Sequence, residues 1–504
     1  SMEQNKLDKK ILGMLNKGNV LTLATAVGSN PSAANIYYYN DGFDIYFFTF
    51  NPSRKAEQIR VNPEVQCVVR PDGEEGIKEL QITGYAHQIK AGDEITKAKE
   101  NILSVTKAFQ KQMDDEFLKK NKITGYYKIV PTVIKYVDFY SDTQFEWKEF
   151  PQNQKSLLSS IASKFLKKVG LYFREMRAPF FTATVVPVAL GAAVFYYQSG
   201  IFHWPYFWLS LLGAVLAHAG TNIANDYSDH ITRNDEVNKL FTPFNGGSRV
   251  IQAGLMSPSQ TFLYAIALFG VVVWIGLSLN VNLHGAYFAL SPLLWLGVTG
   301  IALGIFYTAN PFRLSYHGFG DIAVMLGFGP VMALGTHYVQ KQALIPLEAW
   351  NFDAALIASI PIAILVGLIL FINGFQDYLA DREVGKRTWV VRLADTGDIA
   401  DFERPFKAYK ISIYITFLYI LVLGILGFFY SQFSSPWVLL ALIPFILVRK
   451  GIKSGEEWLE KWSSKDANRQ ILPYELLPVN VTHIGTHLTV GLLLILGYFL
   501  GGVI

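Results

Sequence analysis

From Ala178 to the end of the chain, apolar residues run in long blocks separated by short polar segments. No Asp, Glu, Lys or Arg occurs from Ala178 to Asn225, Val250 to Phe312, Ile322 to Gln340, Ala354 to Gln376, Ile411 to Val448 or Leu476 to Ile504. Each block holds one or two stretches of roughly 20 apolar residues, enough for a helix to cross a hydrocarbon core. The pattern predicts nine membrane helices, at 179–202, 204–224, 259–280, 284–307, 318–340, 355–375, 408–432, 436–448 and 481–503. The eighth is short, and a tilted or re-entrant segment there would leave eight. The first 150 residues alternate on a shorter period. VLTLATA (20–26), ANIYYYN (34–40), FDIYFFTF (43–50), EVQCVVR (64–70), ELQITGYAHQI (79–89) and TVIKYVDF (132–139) are β-branched or aromatic runs between Gly, Asn, Asp and Pro turns. They predict a small β-barrel, with helices at 5–16, 54–61 and 92–119 over its open ends. The expected fold is thus multidomain: an N-terminal β-barrel domain (1–150), an amphipathic linker helix (151–178) and an all-α polytopic bundle of nine transmembrane helices (179–504).

The linker places Leu158, Ile161, Phe165, Val169 and Tyr172 on one stripe with Lys and Arg elsewhere, as expected of a helix lying on an anionic leaflet. Packing on the barrel is the alternative. Lys and Arg also orient the bundle: 155–177, 225–258, 308–317, 376–407 and 449–480 hold 6, 3, 1, 6 and 6, while the intervening loops hold only Lys341. The N-terminal domain and the long polar loops are therefore expected on the cytoplasmic side of a bacterial-type membrane. Over 504 residues the net charge is only +4, which argues against nucleic acid as a partner. The single cysteine, Cys67, excludes a disulfide framework or a Cys-based metal site within one chain. The opening SMEQNKLDKK has no apolar signal-type run, so secretion is not expected.

Two acidic clusters follow predicted spans. On continuing helices, Asp226 and Asp229 share a face at i, i+3, and Asp377 and Asp381 share one at i, i+4. Asp235 would point to the opposite side of a straight helix, so if it participates it must reach the site from a loop. Carboxylates placed deep cost about 3 kcal/mol each and repel one another, so a divalent metal is the natural neutraliser. All-oxygen donors favour Mg2+ shared with a substrate phosphate. Lys239, Arg249, Lys386 and Arg387 lie beside the acids, a mixture suited to a diphosphate. One such cluster alone is more often solvated than liganding; two at the same rim raise the odds. Ion-coupled transport also uses intramembrane carboxylates, usually nearer the midplane.

NDYSDHITRND with FTPFNGGSRVIQAGLMSP, then YTANPFRLSYHGFGD, then DYLADREVGKRTWVVRL, resembles the UbiA superfamily of intramembrane prenyltransferases over about 325 residues. The resemblance implies a nine-helix bundle in which two Asp-rich motifs bind Mg2+ and a prenyl diphosphate. Asn225, Asp226 and Asp229 match the first motif, and Asp377 and Asp381 the second. Where many members have a further Asp, Arg233 stands here. The longer spacing to Asp235, the GGSR stretch and the Tyr-Thr-x-x-Pro stretch look more like the menaquinone branch, whose acceptor is 1,4-dihydroxy-2-naphthoate. Tyr307 and Arg313 then fall where a cation-facing aromatic and a diphosphate contact are expected, against the plainer readings of an interfacial tyrosine and a positive-inside anchor. Other acceptors (a phenol, a glyceryl phosphate lipid, a tetrapyrrole) and a transporter with a flavin-sensing domain are the competing functions.

FDIYFFTFNPSRKAEQIRVNPEVQCVV resembles the pyridoxamine 5'-phosphate oxidase-like split barrel, which commonly binds flavin at a dimer interface. Thr49, Ser53, Arg54 and Lys55 match the segment that holds the FMN phosphate in that family. The resemblance implies FMN and a homodimer; haem, deazaflavin or an ordinary basic turn are the alternatives.

Overall fold

The computed structural model describes all residues except 1, 51–52, 74–76, 91, 110–122, 152–153, 239–240, 398–399 and 470–474, with side chains also left undescribed at some neighbouring positions, including 154–161. It divides into two compact units, Ser1–Phe173 with Val250–Ser257, and Arg174–Arg249 with Pro258–Ile504.

The first unit is built on one antiparallel sheet: β1 (Val20–Val27), β2 (Asn30–Tyr37), β3 (Tyr39–Asp41), β4 (Asp44–Phe50), β5 (Glu64–Val69), β6 (Lys78–Ile89), β7 (Ile123–Asp138) and β8 (Phe145–Glu149). Their order is β2-β1-β5-β6-β7-β4-β3, with β8 added to β7. Register shifts at Thr49/Phe50 and Thr83/Gly84 bend the long strands, as bulges do, and coil the sheet into a half-barrel. Alternate residues point inward: Leu21 and Leu23, Val65, Cys67 and Val69, and Leu80 and Ile82 all join one buried cluster. The helix Met2–Lys17 closes one opening with Leu7, Ile11, Met14 and Leu15, an i, i+4, i+7, i+8 stripe. Two expectations change. The last predicted strand starts at Ile123 instead of 132, and β8, too short to stand out as a periodic run, pairs with it from Val133 to Val137.

The linker forms the helix Gln154–Met176. Leu158 and Ile161 of the predicted stripe lie outside the described side chains. Lys164 reaches Glu64 of β5 at 2.6 Å, while Phe165, Leu166 and Phe173 stay exposed. The helix therefore touches the barrel through a charge and keeps an apolar stripe free.

The second unit is all-helical. Among the described residues seven helices are long and apolar enough to cross a membrane: Ala178–Ser199, Trp204–Ile231, Pro258–His284, Gly320–Leu344, Asp353–Glu383, Glu403–Phe429 and Leu477–Val503. The other two predicted spans are altered. Pro292, capped by Ser291, starts the fourth late and leaves Pro292–Phe306, about 22 Å at 1.5 Å per residue. The eighth is a 3-10 turn, Pro436–Leu442, followed by the separate helix Phe445–Ser463. A count of nine long spans is therefore replaced by seven long helices and two shorter apolar elements.

Asp353–Glu383 is the most enclosed of the long helices. Ala354, Ala355, Ala358 and Ser359 let its neighbours approach closely, and Ile362, Leu365, Val366 and Ile372 fill the core around it. Pro330 cannot donate to the helical ladder, and Gly320–Leu344 takes a π turn at Gly327–Val331.

Candidate active site

The helix Trp204–Ile231 carries its apolar face into the unit and ends in a polar cluster. Ser210, Gly213, Ala217, Thr221, Asn225 and Asp229, spaced by three or four residues, border a single cavity of about 730 Å3. Asp377 and Lys386 border the same space from the other motif, as do Asp235 and Tyr307. The upper wall is apolar, with Val272, Leu293, Ile301, Val331 and Met332 among its residues. One cavity therefore joins an apolar chamber to both acidic motifs.

The chain turns at Arg233, whose φ is 61°, and enters the short helix Asn234–Val237. This break returns Asp235 to the side where Asp226 stands. A Cβ on Gly247 would lie 2.8 Å from Asp235 Oδ2 and 2.9 Å from Asp226 Oδ1, so both carboxylates crowd one glycine whose φ is +71°. The backbone N–H of Ser248 donates to Asp226 Oδ2 at 2.9 Å, and the Ser248 hydroxyl donates to Glu175. Asn225 Nδ2 donates to Asp229 at 2.9 Å, Asn234 Nδ2 to Asp381 at 3.0 Å, and Asn238 and Asn245 both donate to Asp377 Oδ1, at 2.9 and 2.7 Å. Lys386 Nζ sits 3.6 Å from Asp229 and 3.8 Å from Asp381 and bridges the two motifs.

Burial disfavours charge on Asp235, and the neighbouring Asp229 and Asp226 add to it, so this carboxyl titrates well above the usual range. Glu175 is pushed up to about 8, first by burial and then by Asp226. Burial opposes the charge of Lys386 too, but Asp229 and Asp381 outweigh it and hold the ammonium protonated well above the ordinary range. The buried cluster holds more negative than positive groups.

Asn225 Oδ1, Asp226 Oδ1, Asp229 Oδ1 and Asp235 Oδ2 are buried without a hydrogen-bond partner. Four hard oxygen donors left unsatisfied at one rim fit a hydrated divalent cation such as Mg2+. Among the described residues no three Asp, Glu, His or Cys side chains converge tightly enough to hold an ion alone, so water and substrate oxygen would complete its shell. The five predicted acids group as Asp226 with Asp235 beside Gly247, Asp229 with Asp381 beside Lys386, and Asp377 among asparagines.

The predicted cations divide. Arg249 donates to the Asp235 carbonyl and lies 4.4 Å from the Phe241 ring. Arg313 stacks 3.8 Å from the Tyr316 ring, and Arg387 pairs with Asp395 at 3.1 Å; neither borders the cavity. Lys239 lies outside the described residues. Glu175, Asn234, Asn238, Asn245 and Ser248 are missing from the sequence expectation. Their signals were a lone acid among the six cations of 155–177 and asparagines recurring between the acids.

In the first unit, Thr49 donates to Ser53 at 2.6 Å, and the Ser53 hydroxyl caps the helix Arg54–Val61. Arg54 lies against Gly254, within the same unit. Lys55 is half-buried, and burial lowers its pKa. A desolvated ammonium beside a helix N-terminus and its capping hydroxyl fits a phosphate.

The UbiA prenyltransferase family model matches residues 184–460, and the pyridoxamine 5'-phosphate oxidase model matches residues 7–120. The chain is similar to the 2-carboxy-1,4-naphthoquinone phytyltransferase of Synechocystis sp., at 28% identity over 44% of this chain and 66% of the relative. It is also similar to the 1,4-dihydroxy-2-naphthoate octaprenyltransferase of Bacillus subtilis, at 27% identity over 54% of this chain and 77% of the relative. A putative pyridoxamine 5'-phosphate oxidase of Listeria innocua of known structure has 27% identity and a TM-score of 0.21, covering 26% of this chain and 97% of that one. The chain spans 66% and 77% of these two transferases' length. With its apolar helices and a family match over more than half its length, the chain is an integral membrane protein and belongs to the UbiA prenyltransferase family, carrying an N-terminal domain of the pyridoxamine 5'-phosphate oxidase kind.

Proposed function

We propose that the protein transfers a polyprenyl chain from a prenyl diphosphate to an aromatic acceptor of the 1,4-dihydroxy-2-naphthoate type, in menaquinone biosynthesis, with Mg2+ at the acidic rim. The observation that carries this reading is the single cavity bordered by Asp229, Asp235 and Asp377 at one end and by apolar residues at the other. A diphosphate belongs at the charged end and an isoprenoid tail along the apolar wall. The names of the transferases it resembles support the acceptor class.

Bound Mg2+ would supply charge neutralisation and Lewis acidity at the departing diphosphate. Asp226, Asp229, Asp235, Asp377 and Asp381 would hold it together with water and substrate oxygens, with Asn225 Oδ1 as a neutral donor. Asn234, Asn238 and Asn245 fix the carboxylate rotamers before substrate arrives, so little reorganisation remains for the reaction. Lys386 stands ready to share its charge with the leaving group. Breaking the allylic C–O bond leaves both bonding electrons on the diphosphate and a delocalised carbocation in the cavity. Tyr307 offers that cation an aromatic face. The acceptor's ring carbon then forms the new C–C bond with its π electrons, and the ring regains aromaticity by losing the substituent at that carbon, a proton to the released diphosphate or, from a carboxylated carbon, CO2.

We count Pro292–Phe306 and the paired elements from Pro436 to Ser463 as the eighth and ninth membrane elements, with the barrel and the acidic rim cytoplasmic. The exposed stripe of Phe165, Leu166 and Phe173 lies on the lipid surface. In the barrel, Ser53, Arg54 and Lys55 hold the phosphate of FMN, and two chains pair through their barrels. Purified protein should then be yellow, and Lys55→Ala should lose flavin absorbance; a colourless wild type refutes the flavin assignment.

Incubation with geranylgeranyl diphosphate, Mg2+ and a panel of aromatic acceptors tests the main reading. Product should form with a naphthoate, stop with a chelator, and fall by about 10³-fold or more in Asp226→Ala and in Asp377→Ala while both variants remain monodisperse. Full activity in both variants rejects the acidic rim as the metal site, and no diphosphate release with any acceptor rejects prenyl transfer and leaves transport.

A further inference from the structure

Among the described residues that border the cavity, His218 is the one histidine. It lies eight residues before Asp226 on the same helix, a little over two turns and about 12 Å along the axis. Its ring is held on three sides. Thr184, fully buried on the neighbouring helix, places its Oγ1 2.8 Å from Nδ1. Phe328 meets the imidazole edge to face at 4.6 Å, and Phe181 at 5.4 Å. With Nδ1 engaged and the ring bordering the cavity, Nε2 is the nitrogen left for an occupant.

A polar group in this place needs a reason. The same helix face turns to Ala217, Ala214 and Gly213 immediately beyond it, a wall suited to an isoprenoid tail that has no hydrogen bond to offer. An aromatic acceptor does have one: ring hydroxyls are what make it electron-rich. The Phe328 ring, together with Phe180 and Phe244 on the cavity wall, supplies flat apolar surface for such a ring.

On the reading that the protein prenylates a hydroxylated aromatic, we infer that His218 binds the acceptor's ring hydroxyl through Nε2. Nδ1–H donates to Thr184 Oγ1, which leaves the Nε2 lone pair to accept from the hydroxyl. As the ring carbon attacks, positive charge enters the ring and the hydroxyl becomes a stronger donor. The hydrogen bond therefore strengthens toward the transition state. Thr184 is a positioning residue that fixes the tautomer.

Steady-state kinetics on the full chain, varying acceptor and donor separately, tests this, with acceptor binding in the absence of donor as a second readout. His218→Leu should raise the acceptor KM and the acceptor Kd by about tenfold or more while the donor KM moves by less than about twofold. His218→Gln, which keeps a polar atom near Nε2, should recover part of the loss. Thr184→Val, nearly isosteric, should raise the acceptor KM by about threefold and carries the test if His218→Leu does not fold. Unchanged acceptor parameters in folded variants, or equal increases in both KM values, overturn the inference and make His218 part of the tail's wall. A wild type that turns over no aromatic acceptor overturns the functional reading itself, so the two failures are distinguishable.

Discussion

Gly247 shows how a residue without a side chain can set the chemistry of its neighbours. Its positive φ costs an L-residue roughly 1 kcal/mol, and the space where a Cβ would stand is bounded by Asp226 Oδ1 and Asp235 Oδ2. Gly247→Ala should therefore displace the two carboxylates that the proposed site assigns to Mg2+ by a few tenths of an ångström while leaving the bundle intact. The expected outcome is a fall in turnover of about 10²-fold, with a higher Mg2+ requirement and a melting temperature within a few degrees of wild type. Unaltered Mg2+ dependence would mean that the two acids do not share a ligand. The GGSR stretch was visible in the sequence as a motif, but its role as the cradle of Asp235 was not. That role depends on the turn at Arg233, a left-handed residue with no glycine to announce it. Arg387 is close to Lys386 in sequence, and Asp395, brought near by the following turn, pairs with it.

At the scale of elements, the cavity depends on helices that leave room between them. Gly276, Gly327 and Gly335 border it, and a Cβ at any of the three would meet nothing within 4 Å. Substitution there fills empty space and also replaces a poor helix former. Gly335→Leu should accordingly leave thermal stability unchanged or slightly higher. It should lower kcat/KM for a long polyprenyl diphosphate more than for a short one, by about tenfold in the ratio. Equal effects on both donors would place Gly335 away from the tail. Helix existence was legible because runs lacking charge are long, and the barrel strands were legible from period-two alternation. Two features were not: the late start at Pro292, where apolar residues continue through the loop before it, and the π turn around Pro330, which a hydropathy pattern cannot register. Both alter segments that border the cavity, so what periodicity misses here is the local geometry that shapes the site.

For the molecule as a whole, cation placement determines topology more firmly than any single contact. Five polar segments hold 22 Lys and Arg, and the loops between them hold one. If the five face the cytoplasm, Thr396, exposed between Asp353–Glu383 and Glu403–Phe429, is cytoplasmic, and Leu347, exposed between Gly320–Leu344 and Asp353–Glu383, is on the other face. Single cysteines at these positions can report this because the native background is silent. Cys67 is 1% exposed, and burial pushes its thiol up to about 12. The thiolate is the form that reacts, and burial disfavours it. Intact cells treated with an impermeant maleimide should label Leu347→Cys and not Thr396→Cys, with permeabilisation exposing the second. Wild type should take up reagent only after denaturation. Labelling of Thr396→Cys in intact cells would invert the bundle and place the acidic rim outside, where the cellular pool of prenyl diphosphate does not reach, and the proposed reaction would fail with it.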